Sequence, residues 1–144
     1  MKEDVTIFYA DDDQDDLEFF KEIVSEIGEN FNVITQNNGE ELLNAIKNPP
    51  PHPHVVFIDI NMPGINGLEV LKKLRADGMH KELPIVMFST SKDEDIIAKS
   101  RQLGASYYMP KSGMFDQLKK SIEHALSINW SNFTANDNNF VYNT

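Results

Sequence analysis

Four short apolar runs in this chain each end on a residue that can do chemistry. Val55-Val56-Phe57-Ile58 runs into Asp59, and Val5-Thr6-Ile7-Phe8-Tyr9-Ala10 runs into Asp11-Asp12-Asp13. Ile85-Val86-Met87-Phe88 leads to Ser89-Thr90-Ser91, and Tyr107-Tyr108-Met109-Pro110 leads to Lys111. Runs of this length, rich in β-branched and aromatic residues, read as strands buried on both faces, as in a parallel sheet. Open α/β sheets place their chemistry at the C-terminal ends of such strands. Carboxylates, a hydroxyl and an ammonium gathered there describe a site for a divalent cation and a phosphoryl group.

Between these runs the apolar period changes from strand-like to helical. Leu17, Phe20, Ile23, Val24 and Ile27 recur at helical spacing, and Gly28 closes the segment. Phe31 to Thr35 reads as a further strand, and Leu42, Leu43 and Ile46 mark a short helix from near Gly39. Pro49-Pro50-Pro51-His52-Pro53 is a stiff connector into the Asp59 strand. Leu68, Leu71 and Leu74 predict a third helix stopped near Gly78, and Asp93 is placed to cap a fourth carrying Ile96, Ile97 and Leu103. The fifth strand is expected over 105–109, and Phe115, Leu118, Ile122 and Leu126 stripe the last helix. Five βα units with short connections predict a doubly wound α/β fold: five parallel strands with five helices on both faces.

Composition removes several function classes. A chain of 144 residues with 40% hydrophobic and 25% charged residues is a globular domain of ordinary core size. There is no cysteine, so thiolate metal sites and disulfides are excluded. Neither a secretory leader nor a membrane-spanning run is legible, and a cytoplasmic location is expected. A net charge of −10 argues against nucleic-acid and anionic-membrane surfaces, leaving proteins or small ligands as partners.

The ordered set Ala10-Asp11-Asp12-Asp13, Asp59 with Met62-Pro63-Gly64 and Gly67, Ser89, and Gly104-Ala105 leading to Lys111 resembles the receiver domain of two-component response regulators. The likeness covers roughly residues 4 to 127. It implies a flavodoxin-like sheet of strand order 2-1-3-4-5, with Asp59 as phosphoacceptor. Asp11, Asp12, Asp59 and the backbone carbonyl of Asn61 would bind Mg²⁺, with Mn²⁺ as an alternative. Ser89 and Lys111 would bind phosphoryl oxygens, and Tyr108 stands where receivers keep a switching aromatic. The implied partners are a sensor histidine kinase or histidine phosphotransfer protein, and a downstream protein bound by the 93–127 surface. Chemistry would be limited to Mg²⁺-dependent self-phosphorylation and slow loss of the same phosphate, without enzyme turnover.

The residues themselves agree with that reading. Adjacent carboxylates repel, raise one another's pKa and need a cation to stay ionised together. Mg²⁺ suits an all-oxygen, partly hydrated site. Two departures stand out: Ser112-Gly113 follows Lys111 where receivers usually carry proline, and Thr90 follows Ser89 where they carry a smaller residue.

Ordinary roles are expected for several neighbours. Asp13, Asp15 and Asp16 read as turn and cap residues, and His52, His54, His80 and His124 as solvated. Two alternatives come from other classes. Asp11, Asp13, Asp15 and Glu22 have the acidic spacing of a calcium loop, but Asp16 stands where that loop needs glycine. A haloacid-dehalogenase-type aspartyl-phosphate hydrolase would need a second aspartate where the chain has Asn61. The receiver is read as residues 1–128 with no further domain after it. The Asn-rich segment 129–144 carries Trp130, Phe133, Phe140, Val141 and Tyr142, so docking and disorder are both open for it.

Overall fold

Alternation of side chains by two along each strand decides which layer every residue joins. In a computed structural model, which describes residues 4–49, 54–76, 80–130, 132–136 and 138–142, five strands form one parallel sheet. They are β1 (Val5–Ala10), β2 (Phe31–Gln36), β3 (His54–Ile58), β4 (Ile85–Ser89) and β5 (Tyr107–Pro110), in the order β2-β1-β3-β4-β5. Helices α1 (Gln14–Ile27), α2 (Gly39–Lys47), α3 (Gly67–Ala76), α4 (Glu94–Gln102) and α5 (Phe115–Ser127) alternate with the strands. The architecture and strand order are those expected. The fifth strand is displaced, beginning at Tyr107 and ending on Pro110.

Ile7, Tyr9, Val55, Phe57, Val86, Phe88, Tyr107 and Met109 face one layer, where they pack against Leu17, Phe20, Ile23 and Val24 of α1 and Ile122 and Ala125 of α5. Their neighbours Phe8, Ala10, Val56, Ile58, Ile85, Met87 and Tyr108 face the other, against Leu42 and Ile46 of α2 and Val70, Leu71 and Leu74 of α3. Burying both faces explains why these strands read as unbroken apolar runs. β2 lies at the sheet edge and alternates half-buried with exposed residues, so its sequence signal is weaker.

Local signals set the helix ends. The Asp13 side chain accepts from the N–H groups of Asp15 and Asp16 at the start of α1, the capping role read for it. Asp93 likewise accepts from Asp95 N–H at the start of α4, and Asn38 accepts from Glu41 N–H at the start of α2. The connector at residues 50–53 and the expected stop at Gly78 lie outside the described residues. Every peptide bond among the described residues is trans, including the one after Lys111.

One glycine is required by close approach. Gly67 opens α3 with its N–H on the Ile60 carbonyl at 2.9 Å. A Cβ there would lie 2.3 Å from the Asp59 carbonyl oxygen and 2.8 Å from Ile60 Cα. Gly64 differs: its φ of 78° suits glycine, but nothing crowds the position. Gly67→Ala is therefore expected to cost about 2–3 kcal/mol in urea unfolding, because backbone must move. Gly64→Ala should cost about 1 kcal/mol, from backbone strain alone. Equal costs at the two positions would contradict the close-approach argument.

Candidate functional site

Hydrogen bonds carry the sheet ladders past the strand ends and fix the backbone that bears the chemistry. Asp11 N–H donates to the Gln36 carbonyl at 3.1 Å, Asp59 N–H to Ala10 at 3.0 Å, and Lys111 N–H to Ser89 at 2.8 Å. Alternation then sends Asp11, Asp59 and Lys111 toward the α1/α5 side. Ser89, in phase with Ile85 and Met87, is sent toward the side of Tyr108.

The acidic cluster consists of Asp11, Asp12 and Asp59, each offering a carboxylate oxygen within 4.8 Å of the others. Asp11 is fully buried, Asp59 is 7% exposed and Asp12 lies at the surface. Lys111 is the internal counter-ion. Its Nζ lies 2.6 Å from Asp11 Oδ2, 3.0 Å from Asp16 Oδ2 and 3.7 Å from Asp59 Oδ1, and 5.4 Å from the centre of the Phe88 ring. Asp11 accepts two further hydrogen bonds. Its Oδ1 accepts from Asp13 N–H at 3.0 Å, and its Oδ2 accepts a short hydrogen bond from the buried Tyr9 hydroxyl.

The net effect of burial and these contacts is to raise the pKa of Asp59, Lys111 and Tyr9, each through a different balance of causes. Burial pushes the Asp59 carboxyl up, Lys111 pulls it back, and the charge and hydrogen bond of Asp11, with the charge of Asp12, raise it again, to about 7. Burial alone would lower the Lys111 ammonium, yet its hydrogen bond to Asp11 and the charges of Asp59 and Asp11 leave its pKa above the ordinary lysine range. The Tyr9 hydroxyl is held far above its usual range by burial and then by the Asp11 charge. A carboxyl that resists ionisation beside two others is a hard-oxygen site in want of positive charge. The donor set suits Mg²⁺ or Mn²⁺.

Comparison with known proteins gives the same assignment. The family model described as the response regulator receiver domain matches residues 7–123. The chain belongs to that family. The transcriptional regulator NtrC of Escherichia coli K12 is 33% identical over 100 residues, covering 69% of this chain and 20% of that protein. The chain thus spans about a fifth of the length of such curated relatives. The chemotaxis protein CheY1 of Helicobacter pylori is 36% identical over 75 residues, covering 52% of this chain and 60% of that protein. Among solved structures, the phosphorylated cyanobacterial phytochrome response regulator RcpA has 26% identity and a TM-score of 0.77, covering 90% of this chain and 96% of its own. The Mn²⁺-bound response regulator Rcp1 shares the fold at 23% identity and a TM-score of 0.77, covering 91% of this chain and 98% of its own. In this receiver the clustered Asp11, Asp12 and Asp59 form the phosphoacceptor site, built for the domain's own phosphorylation.

The other expected residues fall around the cluster. Asn61 is exposed just beyond Asp59. Ser89 is buried, and its Oγ accepts from Ser91 N–H at 3.2 Å. Tyr108 is fully buried, with its hydroxyl donating to the Ser91 carbonyl at 2.8 Å. Thr90 is exposed, on the rim of a 280 Å³ cavity floored by Lys111 and Phe20.

Several readings change. Asp16 is more than a first-turn residue, since it pairs with Lys111. Tyr9 was legible only as a strand aromatic; its spacing of two from Asp11 is the signal that both share a face. His54 and His124 are not simply solvated, because their rings pack against Phe8 and against Tyr107 and Tyr142. The calcium-loop alternative fails on geometry: Asp13 caps α1, while Asp15 and Glu22 lie on that helix about two turns apart.

The raised Asp59 pKa has a consequence for stability. The native state holds this proton more tightly than an unfolded chain, whose aspartates titrate near ~3.9. The associated stability is fully present below about pH 4 and lost as pH rises through about 7. In chelator, the melting temperature of wild type should therefore fall between about pH 5 and 8 more steeply than that of Asp59→Asn. Added Mg²⁺ should bring the two curves together, and parallel curves in chelator would contradict the assignment.

Proposed function

We propose that Asp59 is the phosphoacceptor of this receiver, loaded by a histidine kinase or histidine phosphotransfer protein and read by phosphorylation-dependent protein binding. The observation that carries this is the Asp11–Asp12–Asp59 cluster with Lys111 inside it. Membership of the receiver family adds the class of donor.

The chemistry follows from the groups in place. An ionised Asp59 oxygen attacks the donor phosphorus; the bond to the donor nitrogen or oxygen breaks, and an acyl phosphate remains on Asp59. Lys111 opposes the Asp59 pKa rise, keeping more of the carboxylate ionised near neutral pH, and supplies positive charge beside the transferred group. Ser89 is the hydroxyl proposed to meet a phosphoryl oxygen. A divalent cation held by Asp11, Asp12, Asp59 and the Asn61 carbonyl would supply charge neutralisation. Asp11 contributes less as a free base than as a fixed ligand, since its oxygens already accept from Tyr9, Asp13 and Lys111.

Output would leave through the surface of α4, β5 and α5, where Tyr108 lies between the site and the sheet edge. The acidic balance of the chain does not favour nucleic acid or anionic membrane as the target, and no described helix is long and apolar enough to cross a membrane. Both points support a protein target, and we place the relay in the cytoplasm.

Incubation with acetyl phosphate and Mg²⁺ followed by intact mass measurement tests the chemistry. Wild type should gain one phosphoryl group, while chelated wild type and Asp59→Asn should gain none. Lys111→Met should react roughly 100-fold more slowly, the scale of losing one charge-stabilising group. An Asp59→Asn protein phosphorylated as fast as wild type would overturn the proposal.

A further inference from the structure

β5 is the last strand of the sheet, and its outer edge is already occupied. Tyr108 N–H donates to the Phe140 carbonyl at 2.9 Å, and Tyr142 N–H donates to the Tyr108 carbonyl at 2.9 Å. Val141 thus pairs in parallel with Tyr108, as a one-residue sixth strand. Pro110, with no N–H of its own, limits how far a strand can extend along this edge.

The segment after α5 is shaped to reach that edge. Trp130 and Phe133 stack near Tyr107, with ring centres 6.2 and 6.0 Å away, on the α5 side. The Asn136 side chain accepts from the N–H groups of Asn138 and Asn139, turning the chain back. Phe140, only 3% exposed, then joins the opposite layer with Tyr108.

Tyr108 therefore holds two systems at once. Its backbone carries the tail, and its hydroxyl is anchored to the Ser91 carbonyl, in the loop whose Ser91 N–H donates to Ser89 Oγ. A phosphoryl group that draws Ser89 Oγ toward Asp59 would disturb this loop and loosen the anchor of Tyr108, the residue whose backbone pairs with the tail.

We propose that the outer edge of β5, with the seat now filled by Phe140, is a strand-accepting docking surface whose built-in occupant is residues 138–142. Phosphorylation at Asp59 releases that occupant. The freed edge takes an uncharged extended segment of a partner protein, bearing an aromatic residue for the Phe140 seat and pairing its backbone with Tyr108. The tail itself shows the chemistry required: one donated and one accepted main-chain hydrogen bond, and one buried ring. This rests on Asp59 being the phosphoacceptor.

Beryllofluoride with Mg²⁺ supplies the phosphoryl mimic, and fluorine NMR reports whether it sits on the protein. Amide exchange at Tyr108 and Tyr142 reports the tail, and a fluorescein-labelled peptide of residues 138–144 serves as the strand probe. With the mimic bound, exchange at both amides should quicken by about tenfold or more, and the peptide should bind at least about tenfold more tightly. Tyr142→Pro, which lacks the donated N–H, should bind the peptide tightly without the mimic, and Phe140→Ala should do the same. Bound fluoride with unchanged exchange and unchanged peptide affinity would overturn the docking proposal and leave the phosphoacceptor reading standing. Absence of bound fluoride would remove both. A dimer formed with the mimic and lost in Phe140→Ala would overturn the assignment to a foreign segment, since a second copy's tail would then be the occupant.

Discussion

Crowding of carboxylates around a single ammonium is the constraint on which the rest of this receiver depends. Asp11, Asp12 and Asp59 share one edge of the sheet, and Lys111 reaches Asp11 and Asp59 from the end of β5. A charged group removed from water is tolerated only when paired and hydrogen-bonded. Asp11 meets that condition with donors from Tyr9, Asp13 and Lys111. Asp59 does not, and its pKa rises in consequence. The residue left less satisfied than Asp11 is the one proposed to react.

The sheet divides the labour. The acidic cluster stands on the α1/α5 side, where Tyr9, Phe20 and Phe88 line a cavity beside Lys111, with Tyr9 and Phe20 ring centres 4.4 Å apart. Ser89 and Tyr108 belong to the opposite phase and to the layer that holds Phe140. On the proposed reading, a signal passing from Asp59 to Ser89 would cross from one face of the sheet to the other within the strand ends, with no long lever between. Tyr108 is already fully buried, with its hydroxyl on the Ser91 carbonyl, so its ring has little room to report by moving inward. Its backbone partners are the more movable elements.

Most of this was readable from the chain. Strands buried on both faces announce themselves as apolar runs, and the structure gathers the residues ending them, so the grouping of Asp11, Asp12, Asp59 and Lys111 was legible in the sequence. Tyr9 could not, because an aromatic at strand spacing has an ordinary packing role, and only its distance from Asp11 shows the hydroxyl engaged. Asp16 was hidden by its other role in the first turn of α1. For the C-terminal segment the sequence left docking and disorder both open, for a physical reason. Asparagine-rich composition suggests a solvated chain, yet the side chain of Asn136 takes the place of a backbone acceptor and forms the turn that brings Phe140 to Tyr108. Composition counts residues; it does not show which hydrogen bonds they make.

The central claim is that Asp59 is held partly protonated by burial and by its acidic neighbours, and is brought to its ionised form by a divalent cation. Carbon-13 NMR of the aspartate carboxyls, assigned through Asp59→Asn and titrated with pH, measures this at the atom concerned. Without divalent cation the Asp59 signal should titrate near pH 7, as its surroundings require. With saturating Mg²⁺ the midpoint should drop by more than about 2 units, because an opposite charge in contact favours the carboxylate. A midpoint near ~4 in chelator, unchanged by Mg²⁺, would mean that Asp59 is an ordinary surface aspartate and would contradict the account.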